Sequence, residues 1–359
     1  MCKKIAVLGP ITSAEYFGGV ATFTENIAKA LKRRDYNVAI ITKFSNEDKT
    51  LSNIQIIGTK IKLPILNWFF YIYKSIKYLY YFNPDAIISS LDYGIVHLLF
   101  KKPKKVYFLH GFPTKEYSLV RFSLILLITK IICKNSDFIV SNSSFTKTIV
   151  RDIFGIRSNF IINPAVSDEF IDTLKNYIKN NLQSEERGLN ILYSGRLVKA
   201  KNVNKVIEAL RKINLKYKGI KFLIVGDGPE RKKVLKILDD ARISFEYFGR
   251  VTQFDLVKIY LKSRVFISLN PHEPFGITYL ESLLAGCNVV CPITGGHVDF
   301  SLKFSERFFF VRDIDDINEL EENITKALIK WKPFNYDSEI VKAFCYQSIS
   351  KILINRINL

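Results

Sequence analysis

Acidic residues are scarce in this chain. Its 359 residues hold 34 Asp and Glu against 53 Lys and Arg, a formal charge of +19. Such an excess implies an anionic partner: nucleic acid, a membrane surface or a phosphorylated substrate. Cysteine is sparse too, at Cys2, Cys133, Cys287, Cys291 and Cys345. An odd number without a CxxC argues against a disulfide framework and for a reduced, cytoplasmic protein. "MCKKIAVLGP" has too short an apolar run for a signal peptide and reads as a first strand. The longest apolar run, "FSLILLIT" at 122–129, falls far short of the ~20 residues that span a membrane. There is no GxGxxG, no GxxxxGK[ST], no HExxH and no Cys/His cluster, so no dinucleotide fingerprint, P-loop or metal site is expected. Repeats and low-complexity segments are missing as well.

What is present is globular: 48% apolar and 24% charged residues, in a chain long enough for two ordinary domains. Short β-branched runs alternate with helical stretches. "KIAVLG", "NVAIIT", "DAIISS", "KVYFLH" and "DFIVSNS" read as buried strands of one series. The rhythm restarts at "LNILYSGRL" and continues through "IKFLIVGDGPE", "ISFEYFGRV", "RVFISLN" and "CNVVCPI". Two successive βαβα series predict two doubly wound α/β domains. Boundaries are expected at 1–168 for the first domain, 169–188 for a polar linker and 189–335 for the second. A C-terminal helix over 336–359 is expected to cross back to the first domain. Ligands of open sheets sit beyond the carboxyl ends of the strands, so the cleft between the domains is the expected active site.

The loops after those strands hold the chemistry. Gly18 and Gly19 stand directly before a helix, as a tight turn or as bare N–H groups for a phosphate or sugar. Arg196 and Lys201 in "SGRLVKAKN" are either a solvated basic loop or the cations a diphosphate needs. Gly226 begins the strand-to-helix turn "GDGPE", where Glu230 favours the helix start. His110 ends a strand, where a cleft residue would be, whereas His97 in "YGIVHLLF" reads as an ordinary half-buried histidine. His272 and His297 lie in loops near a pair of glutamates. "RDIDD" (312–316) contains an Asp-x-Asp but precedes a helix, so it reads as a cap. In "HEPFGITYLE", Pro274 and Gly276 keep Glu273 on a loop, while the helix from Thr278 to Gly286 carries Glu281 on its first turns.

The order of these features is specific. Gly-Gly, His at a strand end, Gly-Arg-x₄-Lys, Gly-Asp-Gly, Glu-x₇-Glu and a final Gly-Gly run through nearly the whole chain. With "VSNSSFTKTIV", "INPAVSDEF" and "SLNPHEPFGITYLESLLAGCNVV", the chain resembles the retaining GT-B glycosyltransferases of family four, relatives of sucrose synthase and mannosyltransferases. That resemblance implies a two-domain GT-B fold and transfer of a hexose from a nucleotide-diphosphate sugar to a hydroxyl, without cofactor or metal. Glu273 would then lie beside the donor sugar and Glu281 would bind the ribose hydroxyls. The backbone N–H groups at Phe275, Gly276 and Ile277 would approach the sugar and phosphates. Arg196 and Lys201 would neutralise the departing diphosphate, and Gly226 would belong to the nucleotide site. His110 would meet the donor sugar's hydroxyls, and Gly18–Gly19 would let the first domain approach the diphosphate or acceptor. Two positions depart from the family pattern: Asn288 stands where Pro is common, and Asp299 where Glu is usual.

The positive charge is uneven. Residues 60–134 carry a net +9, with the aromatic and aliphatic helices "LNWFFYIYKSIKYLYYF" and "SLVRFSLILLITKIICK" and the run "KKPKK" (101–105). These read as a flank facing an anionic membrane, suited to a lipid-linked or membrane-associated glycan acceptor on the inner face of the cell membrane. No nucleic-acid recognition motif accompanies the charge, so a nucleic-acid partner is not expected. A synthase with a soluble acceptor and a non-catalytic carbohydrate-binding relative remain the alternatives.

Overall fold

The computed structural model describes residues 2–12, 18–43, 50–59, 61, 63–112, 118–180, 187–333 and 338–359. The chain divides into two compact units, Met1–Ser167 with Lys342–Leu359, and Asp168–Val341.

The first unit is built on eight strands: β1 (Lys4–Leu8), β2 (Asn37–Ile41), β3 (Thr50–Leu51), β4 (Ile54–Ile57), β5 (Ala86–Ser90), β6 (Lys104–Leu109), β7 (Phe138–Ser141) and β8 (Phe160–Ile161). They are ordered β3-β4-β2-β1-β5-β6-β7-β8, parallel except for β3 against β4. Its helices are α1 (Gly19–Lys32), α2 (Pro64–Phe82), α3 (Leu119–Lys134) and α4 (Ser144–Phe154), with a 3₁₀ stretch over Leu91–Leu99. Alternate strand residues pack into cores on opposite faces. Ile5, Val7, Val38 and Ile40 meet α1, while Ala6, Leu8 and Ile41 meet Tyr71, Leu79 and Tyr93. Burial on both faces explains the continuous apolar runs. Strand β1 lies between β2 and β5, so the winding reverses there.

The second unit begins with helix α5 (Asp168–Asn180), where the sequence reading places a linker at 169–188. The segment is amphipathic: Phe170, Ile171 and Leu174 are buried, and the Phe170 ring meets Tyr260 at 6.0 Å. That burial makes helix where composition suggests a tether; positions 181–186 lie outside the described residues. Strands β9 (Asn190–Ser194), β10 (Lys221–Val225), β11 (Phe245–Gly249), β12 (Val265–Ile267), β13 (Asn288–Pro292) and β14 (Phe308–Val311) alternate with α6 (Val203–Lys216), α7 (Arg231–Asp240), α8 (Gln253–Lys262), α9 (Ile277–Leu284), α10 (Val298–Ser301) and α11 (Ile317–Ile329). The sheet is parallel and ordered β11-β10-β9-β12-β13-β14. Because β9 sits between β10 and β12, the loops after β9 and β12 emerge side by side at the switch point.

The C-terminal segment forms two helices rather than one, α12 (Ser338–Ala343) and α13 (Tyr346–Arg356). Between them the Phe344 carbonyl accepts the Val166 N–H at 3.1 Å. Helix α13 buries Tyr346, Ile349 and Leu353 in the first unit's core. Each unit taken by itself is a Rossmann-like, doubly wound α/β sheet.

Candidate active site

The turn after β12 is built around Glu273. Its Oε2 lies 2.5 Å from Lys201 Nζ and accepts from Asn270 Nδ2 at 3.2 Å. Lys201 reaches it because the loop after β9 ends in a 3₁₀ turn at Lys199–Lys201, held when Asn202 Nδ2 donates to the Leu269 carbonyl at 2.8 Å. Burial works against the Glu273 charge. The Lys201 ammonium and the hydrogen bonds from Lys201 and Asn270 outweigh it and hold the carboxyl below its ordinary value.

Gly296 braces this turn. The Gly296 N–H donates to the Glu273 carbonyl at 2.8 Å. A Cβ on Gly296 would fall 2.0 Å from the Pro274 oxygen, so only glycine lets the two backbones approach. His297, fully buried, donates Nε2 to the Pro292 carbonyl at 2.8 Å and stacks on Tyr279 with centroids 4.7 Å apart.

Gly276 (φ +89°) caps α9 with no side chain over the helix start. The first-turn N–H groups, beginning at Ile277, lack a side-chain cap and favour an anion. Phe275 is buried against Phe300, leaving only its backbone for a ligand. One turn into the helix, Glu281 is buried and Oε2 accepts from the Tyr260 hydroxyl at 3.2 Å. Burial pushes its carboxyl up to about 7, against the favourable influence of Tyr260 and the Gln253 amide. The two glutamates thus differ in kind: Glu273 is charged by its cation, and Glu281 is poised near neutrality.

Arg196 is exposed beside this turn and makes no ion pair among the described residues. Its carbonyl accepts the Tyr193 hydroxyl at 2.7 Å, fixing the loop. Gly226 has a packing reason to be glycine: a Cβ there would fall 2.0 Å from the Gly195 oxygen. Asp316 caps α11 by accepting from the N–H groups of Asn318 and Glu319. Asn288 ties β13 to α11 by donating to the Ala327 carbonyl at 2.8 Å. Among the described residues, no group of three His, Cys, Asp or Glu could hold a metal.

In the first unit, His110 follows β6 and its Nε2 is 2.9 Å from Ser90 Oγ. Its ring packs on Phe23 and Phe108, and burial pulls its pKa down to about 3. It is therefore a neutral hydrogen-bonding group at physiological pH. Gly18 caps α1 without a side-chain bond, and Gly19 is the first helical residue. His97 is fully buried between Ser89 and Ser136, at 3.0 and 2.8 Å. Asn270, Tyr260 and Asn202 were missed in sequence reasoning; only the Asn-Pro of "SLNPHEP" hinted at the first.

The sequence and the fold have counterparts among known proteins. Residues 17–170 match the family "Glycosyltransferase Family 4", and residues 174–339 match "Glycosyl transferases group 1". The alpha-monoglucosyldiacylglycerol synthase of Streptococcus pneumoniae is 22% identical over 308 residues, 76% of this chain and 67% of that protein. The Acholeplasma laidlawii synthase of the same name is 23% identical over 137 residues, 38% of this chain and 34% of that protein. The aligned regions thus span from a third to two thirds of these relatives' own length. Anabaena Alr3699/HepE, solved in complex with UDP, superposes with a TM-score of 0.72 at 14% identity, covering 99% of both chains. The family-four match over the first half and the group 1 match over the second together span most of the chain, which therefore belongs to the glycosyltransferases that combine these two domains in a GT-B fold.

Proposed function

We propose that this glycosyltransferase moves a hexose from a nucleotide-diphosphate sugar to a hydroxyl acceptor, with retained anomeric configuration and no metal ion. One observation carries the reading: the Lys201–Glu273 pair stands in the same turn as the uncapped start of α9. A diphosphate beyond that helix start meets backbone N–H groups, with Arg196 and Lys201 as cations. Glu273 accepts donor-sugar hydroxyls, and Glu281 accepts those of the ribose. His110, neutral, serves as a further partner for the sugar. As the bond from C1 to the diphosphate oxygen breaks, the acceptor oxygen bonds C1 on the same face and its proton passes to the departing phosphate. Fixed dipoles and cations aimed at that oxygen stabilise the transition state more than the ground state. UDP in the Anabaena structure supports a nucleotide donor. The test is thermal shift with UDP, GDP and ADP, followed by nucleotide release from their sugars. A ligand at 100 times its Kd adds ~2.7 kcal/mol; no shift and no release would overturn the reading.

A membrane-associated acceptor, used from the cytoplasmic face, is the favoured partner. Helices α2 and α3 expose apolar side chains, Ile65 at 75%, Leu119 at 85% and Val120 at 81% among them. Many cluster in the first halves of these helices, which follow the carboxyl ends of β4 and β6. Lys74, Lys77 and Arg121 lie among them. No helix among the described residues is long and apolar enough to cross a membrane, so such a face would bind peripherally. The "KKPKK" run does not belong to it. Lys104 and Lys105 open β6, and Lys104 Nζ donates to the Ile357 and Asn358 carbonyls at 2.8 and 2.6 Å. The names of the two synthases above, which concern a glycolipid, favour the same partner.

A further inference from the structure

At the carboxyl edge of the first sheet a second lysine–carboxylate pair stands apart from the one just described. Lys43 follows β2 and Asp92 follows β5, the two strands that flank the switch strand β1. Lys43 Nζ bonds Asp92 Oδ2 and lies 4.5 Å from the Tyr93 ring centroid and 5.8 Å from that of Tyr71. The pair is asymmetric: the Lys43 side chain is 14% exposed and that of Asp92 40%. Leu91, immediately before Asp92, holds φ +54°, a left-handed conformation that L side chains avoid and that clusters at functional sites. Beneath the pair, Thr59 Oγ1 bonds the Lys43 carbonyl at 2.5 Å and also Asn67, whose buried Nδ2 has no hydrogen-bond partner among the described residues.

We propose that Asp92, held by Lys43, is the subsite that receives the hydroxyl groups of an uncharged acceptor, and that it selects against phosphorylated ones. The inference rests on the glycosyl-transfer reading above. A carboxylate accepts two hydroxyl hydrogen bonds in a fixed geometry, which suits a sugar or glycerol diol. The cation that would attract a phosphate is covered and already neutralised, so an incoming phosphate meets the exposed carboxylate first. Open sheets of this kind bind ligands at this edge, beside the switch point.

The test uses the full chain and whichever nucleotide sugar it hydrolyses. Nucleotide release to water is measured alongside transfer to two sets of acceptors. The neutral set is glycerol, methyl α-glucoside and 1,2-diacylglycerol carried in phosphatidylcholine vesicles, whose head group has no hydroxyl; the charged one is glucose 6-phosphate. Wild type should transfer to the neutral set and ignore the phosphate. Asp92→Asn should raise the half-saturating concentration of the neutral acceptor tenfold or more, leaving hydrolysis and donor half-saturation within twofold. The double variant Lys43→Met/Asp92→Asn leaves no stranded ammonium, so it should melt like wild type yet stay defective in acceptor use. Recovery of transfer in the double variant would make the pair structural and sink the proposal. So would an unchanged Asp92→Asn, an equal loss of hydrolysis and transfer, transfer to glucose 6-phosphate alone, or hydrolysis with no transfer to any neutral hydroxyl. A wild type that releases nucleotide from no donor refutes the glycosyl-transfer reading itself, and this subsite with it.

Discussion

Lys201 Nζ and Glu273 Oε2 are 2.5 Å apart although 72 residues separate them. The contact exists because β9 and β12 are neighbours in the second sheet, so their following loops meet. In this state the lysine is engaged by a carboxylate of the protein. A diphosphate would therefore compete with Glu273 for Lys201, whereas Arg196 in the same loop makes no ion pair among the described residues.

Removing a preorganised charge partner of a developing anion costs about 100-fold or more in turnover. Arg196→Ala and Lys201→Ala should each lose that much. Because Lys201→Ala also strands Glu273, it should lower Tm, whereas the exposed Arg196→Ala should not. Steady-state rates with melting curves check both; near-normal transfer in the two variants would remove the assignment.

The high pKa of Glu281 has a signed consequence. Its folded value of about 7 exceeds the ordinary 4.5, so between those pH values the native state holds a proton that the unfolded chain releases. Stability from this group is present below pH 4.5 and falls as pH rises to 7, by about 3 kcal/mol at most. Ribose hydroxyls donate to the ionised carboxylate, so nucleotide-sugar affinity should rise through pH 7. Glu281→Gln should flatten both profiles and weaken binding more than it slows turnover. Calorimetry across pH 5.5 to 8.5 reads this directly.

Gly296→Ala puts a methyl group 2.0 Å from the Pro274 oxygen. The Glu273 turn must shift, and misplacement by about 1 Å can cost on the order of 100-fold in rate. The variant should keep the fold by circular dichroism and lose kcat; full activity would show that the turn tolerates displacement.

With cations supplied by Arg196 and Lys201, excess EDTA should leave transfer intact. Loss of activity restored by magnesium or manganese would instead assign a role to the Asp313 and Asp315 carboxylates.

Membrane binding should depend on α2 and α3. Wild type should cosediment with anionic liposomes at low salt and less as salt screens the surface. Phe69→Ser/Leu119→Ser/Val120→Ser should abolish that binding, whereas Lys101→Ser/Lys102→Ser should barely change it. A wild type that ignores anionic liposomes at low ionic strength would point to a soluble acceptor.

Two doubly wound sheets were legible in the sequence because a strand buried on both faces must be apolar throughout, as in "KIAVL" and "NVVCP". The loop position of Glu273 and the helical position of Glu281 were legible as well, since Pro274 and Gly276 act on the backbone locally. Helix α5 was not: its polar face outweighs Phe170, Ile171 and Leu174 until packing gives them a surface. Nor was the use of Gly226 and Gly296 for close backbone approach, since only the partner backbone shows why a Cβ is excluded. The pairing of Lys201 with Glu273, the burial that lifts Glu281 and the meeting of Lys43 with Asp92 belong to the tertiary structure alone. Electrostatic environment depends on which strand ends become neighbours and how much water remains between them, and sheet order decides both.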